Sequence, residues 1–96
     1  MGQLARLAIA EVKLRSMAQY FFDLRSAGSF SRDEEGVELP DAEAAHNMAL
    51  GALVDVARDA VIEGSLDQHF AVEVRDGIGP VLEVTAIFNS RIFRKQ

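Results

Sequence analysis

The chain has 96 residues, 49% of them hydrophobic and 26% charged, a composition that supports one packed core and excludes a disordered tail. With no cysteine at all, a disulfide scaffold, thiolate metal sites and a cysteine nucleophile are ruled out together. The net charge of −5 is unevenly spread: Arg6, Lys13 and Arg15 lie near the start and Arg91, Arg94 and Lys95 near the end, while Met17 to Phe88 holds four basic and fourteen acidic residues, a net −10 that disfavours contact with nucleic-acid phosphates.

Residues 1–16, MGQLARLAIAEVKLRS, are rich in good helix formers, and Leu4, Leu7, Ala8 and Val12 line one side, so a short helical extension is expected before the domain. Arg6, Glu11 and Lys13 interrupt any apolar run long enough for a signal peptide, and no run approaches the roughly 20 residues of a membrane span. A cytoplasmic protein without membrane contact is therefore expected. The domain proper is expected over residues 17–88, with residues 89–96 as a basic tail.

From Tyr20 onward the pattern changes to period two. Tyr20, Phe22 and Leu24 alternate with Phe21, Asp23 and Arg25, which predicts a half-buried strand, and Ser26-Ala27-Gly28-Ser29 supplies turn chemistry after it. The chain then returns through Asp33-Glu34-Glu35-Gly36 into a short second strand around Val37 and Leu39. Pro40 stops that strand. Asp41 is a good helix N-cap, and Ala45, Ala49, Leu53, Val56, Ala57 and Ala60 form an apolar stripe, so a helix is predicted from about Ala42 to Glu63, ended by Gly64. Phe70, Val72 and Val74 and then Leu82, Val84 and Ala86 alternate with polar residues around Asp76-Gly77-Ile78-Gly79-Pro80, which predicts a second hairpin. The expected fold is α+β, in the order strand, strand, helix, strand, strand: one small antiparallel sheet covered on one face by one long helix.

Tyr20-Phe21-Phe22-Asp23-Leu24-Arg25, the run Asp33 to Asp41 leading into an Ala-rich helix, Val74-Arg75-Asp76 and Leu82-Glu83-Val84 resemble a small bacterial domain-of-unknown-function family, common in alphaproteobacteria. The resemblance covers roughly Met17 to Phe88, and its most specific piece is the acidic-Gly-x-Glu-Leu-Pro-Asp run before the helix. It implies that the preceding sixteen residues are an extension, and it implies no activity. A fold-level likeness to HicB-type antitoxins rests on the acidic turn, the strand ending in Pro-Asp and the Ala-rich helix. The alternative to a protein-binding role is thus a HicB-like antitoxin or a regulatory module with nucleic-acid contact through the basic termini.

The chemical candidates fail on spacing. An EF-hand with Gly36 at its sixth position would put Ser31 first and Ala42 where the bidentate Glu must stand, so Asp33, Glu34 and Glu35 read as a solvated acidic turn. His46 and His69 have no partners at metal-ligand spacing, and none of the six serines lies in a Gly-x-Ser-x-Gly elbow. Asp55 and Asp59 read as an exposed acidic face. No cofactor, metal, small-molecule substrate or enzymatic activity is expected. The reading that remains is an interaction module that binds a protein partner, with a homodimer among the options. Its candidate contact residues lie on the sheet face away from the helix: Phe21, Glu73, Arg75, Glu83 and Thr85, with Ala71 beside them.

Overall fold

The computed structural model of the protein describes residues 17–26, 28–64 and 69–94. Its elements are, in order, β1 (Ala18–Ser26), β2 (Ser29–Ser31), β3 (Val37–Leu39), α1 (Ala42–Ile62), β4 (His69–Arg75) and β5 (Pro80–Ile87). The expected helical extension over residues 1–16 lies outside the described residues. All strands pair antiparallel. On one side β1 pairs with β4, which pairs in turn with β5; on the other, β2 and β3 lie along the two ends of β1. The arrangement is the expected α+β sheet with one helix.

One element differs from expectation, because the second strand is divided in two. Four steps along β1, from Leu24 back to Tyr20, face six steps on the returning chain, from Ser31 to Val37. The two additional residues are taken up by the turn around Asp33 to Gly36, so β2 and β3 are two short pieces of one interrupted edge strand. Gly36 makes the turn possible. It has φ +74, and a Cβ there would lie 3.0 Å from each of Gln19 Cγ, Phe21 Cε1 and the Tyr20 carbonyl oxygen.

The helix begins and ends as its sequence dictates. Asp41 has an extended backbone, and its carboxylate accepts a hydrogen bond from the Ala44 N–H at 2.9 Å, satisfying one of the free amides of the first turn. At the other end Gly64 takes φ +86 just beyond the Glu63 cap. Ala45, Ala49, Leu53 and Ala57 are the buried residues of α1. Three of these four are alanines, which lets the helix lie close against the sheet.

The register places Tyr20, Phe22 and Leu24 of β1, Phe70, Val72 and Val74 of β4, and Leu82, Val84 and Ala86 of β5 on the covered face, where they form the core with the α1 stripe. This is the face that the alternation predicts. The helix packs mainly across β4 and β5 and barely reaches β1, so it sits off the sheet's centre, toward the β5 edge. The β4–β5 hairpin is closed by Asp76, whose carboxylate accepts from the N–H groups of Ile78 at 2.8 Å and Gly79 at 3.0 Å. A bulge follows in the register, with Val74 opposite Leu82 but Arg75 opposite Pro80.

Phe70 is among the largest fully buried side chains and Ile78 is 99% exposed at the hairpin tip. Phe70→Ala should therefore cost about 3 to 5 kcal/mol in urea denaturation, whereas Ile78→Ala should stay within about 0.5 kcal/mol of wild type. Equal losses would contradict the assigned core.

Candidate functional site

Two surfaces are candidates: the open face of the sheet and the β5 edge. On the open face, alternation gathers Phe21, Asp23 and Arg25 from β1, Ala71, Glu73 and Arg75 from β4, and Glu83 and Thr85 from β5. All the residues singled out from the sequence thus share one face. The register sets Asp23, Glu73 and Glu83 side by side in one row across three strands. Three carboxylates so placed repel one another unless cations intervene.

Two arginines intervene. Arg25 forms an ion pair with Glu73 through Nε, and its guanidinium lies 4.6 Å from the centroid of the Phe30 ring. This pair is largely exposed and contributes little to stability. Arg75 is placed differently. Its Nε donates to Asp23 Oδ2 at 2.9 Å, one Nη donates to the Asp33 carbonyl at 2.6 Å, and its plane lies 4.3 Å from the Phe21 ring centroid. Asp23 is the one charged residue buried among those described, at 6% exposure, and its other oxygen accepts from the Asp33 N–H at 2.9 Å. A buried carboxylate needs such pairing, since its desolvation would otherwise cost several kcal/mol.

Asp33 completes the network with its own carboxylate. Oδ2 accepts from the Phe22 N–H of β1 at 3.0 Å, while Oδ1 accepts from Glu35 at 3.0 Å and Gly36 at 3.2 Å. Where the edge strand is interrupted, Phe22 has no strand partner for its N–H, and the Asp33 side chain takes that role. Desolvation pushes the Asp33 carboxyl up, but the Phe22, Gly36 and Glu35 N–H donors and the Arg75 charge together outweigh it, leaving the carboxyl below its ordinary range. Glu34 and Glu35 are exposed, as expected of a solvated turn, while Asp33 fastens the turn to β1. Asp76 is likewise held low, by the Gly79 and Ile78 N–H groups.

The candidate contact residues are therefore in unequal states. Arg75 is engaged with both Phe21 and Asp23, and Glu73 with Arg25, while Glu83 and Thr85 on β5 remain exposed. Three groups outside the expected contact set turn out to matter. Asp23 and Asp33 carry the network. The third is a mainly apolar groove between α1 and the β5 edge, lined by Leu53, Val54, Ala57, Val61, Ala86 and Phe88, with Arg58 also on its wall. Val54, Val61 and Ile62 on its wall are all more than half exposed. His46 and His69 are both exposed and lie on different elements, and no cluster of three or more potential metal ligands occurs among the described residues. No helix among them is long and apolar enough to cross a membrane.

The sequence profile of a family described as "Domain of unknown function (DUF6894)" matches residues 19–87. The chain belongs to this DUF6894 family. The matched segment of the DUF6894 domain runs from β1 to the last residue of β5, and so contains Asp23, Asp33 and Arg75. No curated protein and no solved structure matches the chain.

Replacing Asp33 with Ala should cost about 1 to 3 kcal/mol, because the Phe22, Glu35 and Gly36 amides lose their acceptor. Asp33 also carries a pH signature. A carboxyl held below its unfolded value stabilises the fold above about pH 4 and loses that contribution as pH falls through the folded value. Between about pH 5 and pH 2 wild type should consequently lose more stability than Asp33→Ala. Parallel pH curves for the two proteins would show that Asp33 does not act this way.

Proposed function

We propose that the domain is a protein-interaction module that takes an extended segment of another chain along the β5 edge, and that it acts by binding rather than by catalysis. The observation that carries this reading is the contrast between the two edges of the sheet. On the β1 side the edge strand is reduced to two three-residue pieces around the Asp33 turn, a form that resists strand addition. On the other side β5 runs unbroken for eight residues, with its single proline at the first position and no lysine or arginine. Strand addition at such an edge draws affinity from main-chain hydrogen bonds and specificity from pockets beside the strand. The α1–β5 groove supplies a pocket of that kind, apolar and within reach of alternate side chains of an added strand.

The open sheet face plays the supporting part in this reading. Its central arginine is committed to Asp23, Asp33 and Phe21, and the exposed Glu83 and Thr85 lie on β5 itself, next to the incoming strand.

A synthetic peptide with the sequence of residues 80–87 serves as a strand probe. Titrated into the labelled protein, it should shift the amide signals of β5 together with those of Val54 and Val61. A version N-methylated at alternate residues should bind at least about tenfold more weakly, since it cannot complete the ladder. Shifts confined to Phe21 and Arg75, or equal binding of both peptides, would contradict the edge as the binding site.

A further inference from the structure

Resting on the reading of β5 as a strand-accepting edge, we infer that its occupant is a second copy of this chain, paired β5 to β5 about a two-fold axis, so that two sheets join into one and two α1 helices pack side by side.

The first support is register. In an antiparallel pair, residues directly opposite each other point to the same face, so a symmetric pairing that keeps both helices on one face must centre on a residue rather than between two. For the segment Pro80–Ile87 the two registers of greatest overlap centre on Glu83 or on Val84. Centring on Glu83 would set two carboxylates opposite each other on the open face, which is unfavourable. Centring on Val84 sets Val84 against itself and Leu82 against Ala86 on the core side, and Glu83 against Thr85 on the open side. No like charges then stand directly opposite each other, and every core-side pair is apolar.

The second support is the position of the helix. Because α1 lies over β4 and β5 rather than over the middle of the sheet, a strand spacing of about 4.8 Å across the new seam places the two helix axes about 10 Å apart. Helices pack at about 8 to 10 Å. The side of α1 that would face its copy carries Val54 and Val61, which are 55% and 53% exposed in the single chain, with Leu50 a turn before them and Arg58, paired with Asp55 on its own helix, between them. A helix set centrally over the sheet would leave a gap at such a seam. The off-centre helix and the apolar residues exposed on this flank, Arg58 apart, are both accounted for by a copy of the same surface. The two helices run antiparallel across the axis, so their dipoles oppose favourably.

Sedimentation equilibrium of the full chain, from about 1 µM to about 200 µM, tests the association. A monomer–dimer equilibrium is expected, and Val54→Glu combined with Val61→Glu should weaken it by at least about tenfold while leaving the circular dichroism unchanged, since both positions are exposed in the monomer. The absence of native cysteine gives a clean test of register. Chains carrying Glu83→Cys, mixed with chains carrying Thr85→Cys, should form a disulfide-linked pair under mild oxidation, and neither variant alone should cross-link to a comparable extent. A wild type that stays monomeric at the highest concentration overturns the inference. If that monomer still binds the peptide of residues 80–87, strand acceptance at β5 stands and only the identity of the occupant is wrong; if it binds neither, both fail. Cross-linking through Glu83→Cys alone, without the mixture, would overturn the register centred on Val84.

Discussion

The ion pair between Asp23 and Arg75 joins the two central strands of the sheet, and the rest of the open face is arranged around it. Asp23 is nearly buried and its Arg75 partner has a side-chain exposure of only 22%, so the charges meet away from bulk water and neither can lose the other cheaply. The same guanidinium reaches the Asp33 carbonyl and lies against Phe21, so one side chain of β4 touches both β1 and the returning edge. Asp33 then answers with three backbone bonds of its own. The interruption of the edge strand is thus held by specific donors and acceptors, and no buried side-chain nitrogen or oxygen among the described residues lacks a partner.

This network gives the domain two unlike edges. The side built around Asp33 has only two three-residue strands separated by a turn, and it offers little ladder to another chain. Among the described residues the β5 side has no comparable device, and the helix leans toward it with a mainly apolar flank exposed. A domain of this size buries a modest core. An exposed apolar groove beside an edge strand is then a costly feature to leave in water.

Much of the architecture was legible in the sequence for simple physical reasons. The period of two around Tyr20, Phe70 and Leu82 fixed which face of each strand meets the helix, because a one-residue slip would exchange Phe22 for Asp23 and Arg25. Asp41 and Gly64 marked the helix ends through backbone chemistry that depends on local residues alone. The divided edge strand was not legible in this way. Its cause is a hydrogen bond between Asp33 and Phe22, eleven residues apart, which no local pattern expresses. A partial signal existed: Asp33 with Gly36 three residues later is an Asx-turn pattern, and a lone acid in β1 with a lone arginine on the same face of β4 is a complementary pair. The β5 groove depends on where the helix sits across the sheet, a quantity set by tertiary packing between α1 and strands that follow it in the chain.

The dependence of the open face on one ion pair is tested most directly by a double-mutant cycle at positions 23 and 75, with Asp23→Asn, Arg75→Met and the combination compared by urea denaturation at neutral pH. A coupling energy of about 1 to 3 kcal/mol is predicted, with the double variant less destabilised than the sum of the single ones, because each single change strands a charge that the double change removes. Additive effects would show that Asp23 and Arg75 stabilise the sheet independently, and would contradict the account of the network built on their pairing.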